Sequence, residues 1–245
     1  MQLKDKKVLI TGGSRGIGKC MIDELVKQGV QDIAVIGRDK ENLKALRTTF
    51  ESVNFILVRG DVGDLNVLRD VTSKIEDEWG SLDILINNAA IRPSSSFLEV
   101  TNEDWQRVIN VNFMGAFWLS RACIPGMVEK GWGRIINFAG MNAIHGYNGR
   151  AHVSASKHAT WGMTKALAKE FGAKGITTNI VSPGPISGQH KDPAMAAHIA
   201  DMAARVPVGR LGTSEEVAAT CMLLISEKGA FINGQLIQVN GGTET

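Results

Sequence analysis

Short apolar runs alternate along the chain with longer segments in which apolar residues return every three or four positions. The runs at 6–10, 32–37, 54–60 and 83–90 are largely unalternating. Between them lie a segment at 17–30, where Ile17, Met21, Ile22, Leu25 and Val26 share one helical face, a polar stretch at 40–52 and an amphipathic one at 65–79. The rhythm continues with helical stretches at 102–111 and 112–130, a strand at 133–140, a long helix from about 152 to 173 and a strand at 176–184. A helix over 213–226, capped by Thr213 or Ser214 with Glu215 and Glu216 in its first turn, precedes a closing strand at 235–242. Strands without polar alternation suit a parallel sheet covered on both faces. Strands separated by helices require crossover connections. The pattern predicts an α/β fold: one single-domain Rossmann-type doubly wound parallel sheet of about seven strands, with helices on both faces, spanning residues 1–245. The Pro- and Gly-rich stretch from 185 reads as a long irregular insertion with room for one short helix.

Composition removes several function classes. The 245 residues carry 27 basic and 25 acidic side chains for a net charge of +2, with only 6% aromatics. That balance argues against a nucleic-acid partner. No run reaches the roughly 20 apolar residues of a membrane span, so no membrane partner is expected. The first residues are charged up to Lys7, which is unlike a secretory signal. Cys20, Cys123 and Cys221 are odd in number and far apart, which suits neither a disulfide framework nor a zinc set. The expectation is a cytoplasmic protein without a metal.

The strongest motif is Thr11-Gly12-Gly13-Ser14-Arg15-Gly16-Ile17-Gly18, set between the first strand and the first helix. There a doubly wound sheet offers helix amides and a positive dipole to a pyrophosphate. Gly12 and Gly16 allow the backbone to turn toward phosphates, and Gly18 allows the helix to sit against the sheet. A tight turn with no ligand is the plainer alternative.

Together with Asn87-Asn88-Ala89-Ala90, Asn110-Val111-Asn112, Ser182-Pro183-Gly184-Pro185-Ile186 and the stretch from Ile232 to Gly242, this loop resembles the short-chain dehydrogenase/reductase family along essentially the whole chain. The resemblance implies that Asn88, Ala89 and Ala90 pass under the adenosine side of a dinucleotide. It places Asp61 and the adjoining Val62 at the adenine ring, and Pro183, Gly184 and Ile186 at the nicotinamide end. It further implies a homotetramer paired through helices 112–130 and 152–173, a substrate-side flap over 185–212, and a small-molecule substrate. At the end of the second strand the sequence reads Gly37-Arg38-Asp39, with no acid before Arg38. Arg38 and Arg15 converging on a ribose would suit a 2′-phosphate through forked, charge-assisted hydrogen bonds. NADP is therefore expected over NAD, although Asp39 offers a carboxylate to a free ribose hydroxyl.

The family's chemistry uses a Tyr as proton donor, a Lys four residues later, a Ser thirteen before the Tyr, and an Asn on an earlier helix. Lys157 and Asn112 match the Lys and Asn positions, whereas the Tyr position holds Val153 and the Ser position Gly140. Neither replacement donates a proton, and a missing general acid costs roughly 10²–10⁴ in rate. Three readings follow. Another donor serves, drawn from His145, Tyr147, Ser154, Ser156 or an ordered water near Lys157; or the reaction is a different one, such as C=C chemistry or elimination; or the protein binds nucleotide without redox chemistry. Dienoyl-CoA reductases of the same family also lack the Tyr and keep the Lys, but with Ser where Val153 stands. His152 and His158 read as surface or interface residues.

Overall fold

The computed structural model describes residues 3–141, 144–188 and 196–245, the side chains of 196–199 excepted. Seven strands, β1 (Lys7–Thr11), β2 (Asp32–Gly37), β3 (Asn54–Arg59), β4 (Ile84–Asn87), β5 (Gly133–Phe138), β6 (Ile176–Pro183) and β7 (Leu236–Val239), form one sheet in the order β3-β2-β1-β4-β5-β6-β7. Every neighbouring pair is parallel. The helices are α1 (Gly16–Lys27), α2 (Lys40–Thr49), α3 (Leu65–Trp79), α4 (Asn102–Ile109), α5 (Gly115–Lys130), α6 (Ala151–Phe171), α7 (Ala196–Ala204) and α8 (Ser214–Ile225). This is the single-domain, doubly wound Rossmann-type fold that the alternation of strand and helix predicts.

Why both faces are covered is visible in single strands. Side chains alternate across a strand, and here both sets are apolar. Val8 and Ile10 of β1, with Ile33 and Val35 of β2, pack against Met21, Ile22 and Leu25 of α1 and Val217 and Cys221 of α8. Leu9, Ala34 and Ile36 face the other way, onto Leu68, Val71 and Ile75 of α3 and Leu119 and Met127 of α5. The strand order reverses at β1 and β4, and such a switch point opens a crevice beyond the strands' carboxyl ends.

Two boundaries differ from the sequence reading in ways that shape the site. The run at 83–90 leaves the sheet after Asn87, because Asn88 turns its amide back onto the Thr11 and Gly12 carbonyls at 3.0 and 3.2 Å. The helices predicted at 102–111 and 112–130 are joined by a wide π-turn at Asn110–Met114. Of the insertion, residues 189–195 fall outside the described residues, so the flap expected over 185–212 is described only in part. Its ends meet where Ile186 pairs with Gly212, and α7 lies between them.

Candidate active site

The crevice is built from the strand ends upward. Thr11 ends β1 in register with Asn87 of β4, which is in register with Asn137 of β5. The Thr11 hydroxyl accepts the Ala89 amide at 3.0 Å, and Asn87 Nδ2 donates to Asn137 Oδ1 at 2.9 Å. Asn137 in turn donates to Thr164 of α6 at 2.9 Å. These buried polar groups knit β1, β4, β5 and α6 into one floor, leaving Ala90 exposed at its edge.

Over that floor sits the glycine loop. Gly12 (φ +67°) and Gly16 (φ +51°) adopt left-handed backbone that disfavours side chains. At Gly18 a Cβ would intrude on the Gly12 carbonyl oxygen and stand 2.8 Å from Gly13 Cα. The helix start therefore approaches the loop as closely as backbone permits. Side chains of Asp39, Asp64, Thr101 and Thr213 cap α2, α3, α4 and α8, whereas α1 begins at Arg15 with no side-chain cap and no acid in its first turn. Uncapped amides and an unneutralised dipole are what a phosphate needs. Ser14 reaches the end of β2, where its hydroxyl lies 3.2 Å from the place of a Gly37 Cβ, while Ile17 turns its side chain into the core. The loop thus fits the pyrophosphate of a dinucleotide.

Further along the crevice, Arg38 follows β2 with its side chain half exposed, 3.9 Å from Asp61. One Asp39 oxygen is occupied by the Asn42 amide at 2.8 Å. Asp61 Oδ1 accepts the Gly63 amide at 2.9 Å, and Val62 is buried below it against α3 and α5. An open hollow of about 650 Å³ adjoins Asp61 and Val111, bordered by Glu103 and Arg107; it takes in none of Lys157, His145 or Tyr147. At the opposite end Gly184 donates to Val239 O at 2.9 Å, and a Cβ there would press on Asn240. Pro183, Gly184 and Ile186 thus form a shelf above β6, held by the strand beside it.

Lys157 lies between these ends. It is 3% exposed, and its ammonium donates to the Phe138 carbonyl at 2.7 Å. Burial, with the Arg92 charge adding to it, pushes its pKa down to about 7. Lys157 is therefore not a solvated surface lysine. Asn112 sits at the centre of the π-turn, where it accepts the Ile91 amide at 2.9 Å and donates to the Ile91 carbonyl at 3.0 Å. It also donates to Ser156 Oγ at 3.1 Å. Asn112 therefore clamps the strip that follows β4, and Ser156 is spent in the same network, its hydroxyl donating to Val153 O at 2.7 Å.

The remaining predicted residues surround the segment before α6. Val153 is fully buried, and Gly140 has φ +117° with no atom near the place of a Cβ. The Ser154 hydroxyl is shielded from solvent and has no partner among the described residues; Gly146 lies over it. The Tyr147 ring lies against His145 with centroids 4.7 Å apart and planes tilted by 53°, and His145 Nδ1 pairs with Glu244 at 2.9 Å. His152 corrects a sequence expectation: with its neighbour Val153 it faces inward from the first turn of α6 and is 1% exposed. His158 is exposed, with Nδ1 2.9 Å from the Ser154 carbonyl.

Two residues of this site were not singled out from the sequence. Arg92 follows the Asn-Asn-Ala-Ala motif with no pattern of its own, and only the fold brings its charge to Lys157. Glu244, in the last turn of the chain, reads as a solvated acid until the tail is seen folded beneath His145.

The chain matches the family model described as Enoyl-(Acyl carrier protein) reductase over residues 12–244. It is 36% identical to an acetoacetyl-CoA reductase of Cupriavidus necator over 95% of this chain and 96% of that protein. It is 34% identical to the 3-oxoacyl-(acyl-carrier-protein) reductase FabG of Escherichia coli, covering 99% and 98% of the two chains. Among solved structures, a short chain dehydrogenase from Bacillus anthracis superposes with a TM-score of 0.86 at 35% identity, over 98% of this chain and 97% of that one. With the glycine loop, the clamped strip after β4 and the buried lysine of α6 all in place, the chain belongs to the short-chain dehydrogenase/reductase family.

Proposed function

We propose that this protein is an NADP(H)-dependent oxidoreductase acting on a small or medium carbonyl or enone compound, with a proton donor other than the family's Tyr and Ser. The observation that carries this reading is Lys157, buried with its ammonium on the Phe138 carbonyl at the carboxyl end of β5, the end of the sheet at which the uncapped helix α1 also begins. An isolated ammonium is costly to bury. Its retention here is accounted for by a ligand that it holds. In this reading Gly12, Ser14, Arg15, Gly16 and Gly18 bind the pyrophosphate, Asn88, Ala89 and Ala90 the adenosine side, Asp61 and Val62 the adenine, and Pro183, Gly184 and Ile186 the nicotinamide end. Lys157 takes the nicotinamide ribose. The cofactor, when bound, supplies or accepts the hydride. The names of the relatives favour 3-oxo thioesters as the first substrates to try.

Arg38 supports NADP over NAD. Its guanidinium is exposed beside the ribose position, while Asp39 is engaged in capping α2. We expect Arg38→Ala to weaken NADPH binding about 10- to 100-fold, the worth of a charge-assisted hydrogen bond, and to leave NADH within a few-fold. Fluorescence titration of the reduced nicotinamides measures both, and equal loss for the two would remove the 2′-phosphate role. The protein is also proposed to act in the cytoplasm as a homotetramer, its copies pairing through α5 and α6 where Phe117, Trp118 and Trp161 remain partly exposed.

A second reading has its own support. Val153 is sealed and Gly140 is locked in a left-handed conformation, so the wall that carries the family's Tyr and Ser offers no donor. That favours a non-redox reaction on the same scaffold, or a nucleotide-binding subunit without turnover. Absorbance at the reduced-nicotinamide band separates these. NADPH consumption with acetoacetyl-CoA or an enoyl-CoA supports the oxidoreductase. Binding without turnover supports the second reading, and no binding of either dinucleotide overturns both.

A further inference from the structure

Resting on the oxidoreductase reading, we propose that His145, oriented by Glu244, is the group that exchanges the proton with the substrate oxygen. The argument begins with placement. Phe138 ends β5 and accepts Lys157, and the segment that follows it returns over the first turn of α6. There the place of a Gly146 Cβ lies 4.0 Å from the Oγ of Ser154, three residues before Lys157. His145 immediately precedes Gly146, on the rim beside the nicotinamide end.

The tail reaches the same place from the other side. After β7, Asn240 packs on Gly184 of the nicotinamide shelf, and Gly241 accepts the Val208 amide at 3.2 Å at the foot of the insertion. Asn240 Nδ2 then donates to the Glu244 carbonyl at 2.8 Å, which fixes the turn and carries the Glu244 carboxylate to His145 Nδ1. The shelf, the foot of the insertion and the segment after β5 are therefore joined through the tail at this one pair.

A carboxylate on one ring nitrogen leaves the other as the working atom. His145 Nε2 has no partner among the described residues. Two contacts hold the ring, Glu244 at Nδ1 and the tilted Tyr147 ring with its centroid 4.7 Å away. The rival serines are spent or closed: Ser156 is tied to Val153 and Asn112, and the Ser154 hydroxyl is shielded from solvent, while Val153 has nothing to give. Tyr147, whose ring is exposed, is the rival that the Tyr147→Phe variant separates.

In the reducing direction the carbonyl carbon gains the hydride from the reduced dinucleotide. The C=O π pair moves to oxygen and takes the Nε2 proton of the imidazolium, giving the alcohol and a neutral ring with its proton on Nδ1 toward Glu244. Water then returns a proton to Nε2. The oxidising direction runs these steps backwards, with neutral Nε2 accepting the hydroxyl proton.

The test uses the intact protein with NADPH and acetoacetyl-CoA. His145→Gln and His145→Ala are expected to lower kcat by about 10²–10⁴, the usual worth of a positioned acid, with the NADPH Kd within twofold of wild type. Added imidazole is expected to restore part of the His145→Ala rate. Glu244→Gln is expected to lower kcat by roughly tenfold at unchanged KM, the scale of a lost charge-assisted hydrogen bond. Nitrogen-15 spectra of the His145 ring in the dinucleotide complex are expected to show the neutral form protonated at Nδ1, and to lose that preference in Glu244→Gln. Wild-type turnover that survives in both His145 variants, or a neutral ring whose single proton sits on Nε2 in the wild type, overturns the assignment alone. Loss in Tyr147→Phe with none in His145→Gln does the same. A wild type that binds NADPH and turns over no carbonyl overturns the oxidoreductase reading and this assignment with it.

Discussion

Replacing Gly18 by alanine is expected to raise the NADPH dissociation constant at least 100-fold in a protein that keeps its sheet. The added methyl group would overlap the Gly12 carbonyl, lie 2.8 Å from Gly13 Cα and stand 3.0 Å from Asn88 Nδ2. Two of these neighbours are backbone, and the third is fixed by its bonds to Thr11 and Gly12. None is a side-chain end that can swing away, so either α1 retreats or the loop spreads. Both displace the amides that would face the phosphates. Overpacking of this kind costs about 1–3 kcal/mol of stability, which a domain of this size can survive. Gly16→Ala is the informative contrast. That residue has φ +51° but open space around it, so the expected cost is the backbone preference of roughly 1–2 kcal/mol and a much smaller loss of affinity. Fluorescence titration and thermal melts by circular dichroism read both variants. A folded Gly18→Ala protein with wild-type affinity would mean that the dinucleotide does not use this loop.

Lys157→Met is expected to make the ligand-free protein more stable at neutral pH while removing its activity. The wild-type ammonium has its pKa pushed down to about 7 by burial, against an ordinary value of 10.5. A lysine with a depressed folded pKa penalises the native state fully below the folded value, and the penalty fades as pH rises toward the unfolded value. Between pH 7 and 10.5 the unfolded chain holds the proton that the native protein has lost, so wild-type stability climbs across that window. At pH 7 the penalty is about 4 kcal/mol. Methionine abolishes it but leaves the Phe138 carbonyl unpartnered, at about 1–3 kcal/mol. The net gain of about 2 kcal/mol corresponds to a rise in Tm of roughly 4–8 °C. Melts from pH 6 to 10 are expected to show the wild type gaining on the variant as pH increases. A variant less stable than wild type at pH 7 would indicate that the ammonium is already well solvated. Activity is expected to fall at least 100-fold in the same protein, a case of a functional group retained against stability.

The fold was readable because its signals are local and redundant. The bounds of β2 and α3 match the apolar runs at 32–37 and 65–79 residue for residue, and Asp39, Asp64 and Thr213 stand where the helices they cap begin. The glycine loop was equally plain, since positive φ and close approach each demand residues without side chains. What could not be read is long-range. Nothing near Asn88 in sequence says that its amide turns back to Thr11, shortening β4. Nothing near His145 points to an acid ninety-nine residues later. The helix periodicity placed a junction at 111–112 but not its form, because a π-turn differs from an α-helix only in where its amides bond. The same gap explains His152, whose burial is set by tertiary packing around α6 and not by the helix that carries it.

The π-turn at Asn110–Met114 has a consequence for how this crevice can change. It holds one residue more than a regular helix would use to cover the same rise. Removing one residue there would let α4 and α5 fuse into a single, better-bonded rod, which local energetics favour. The cost would fall elsewhere: everything upstream would rotate by about 100° about the axis, and the Asn112 amide would swing off the Ile91 backbone. A tidier helix would thus come with a loosened strip after β4, and the irregularity marks the point where the chain gives up regularity for grip.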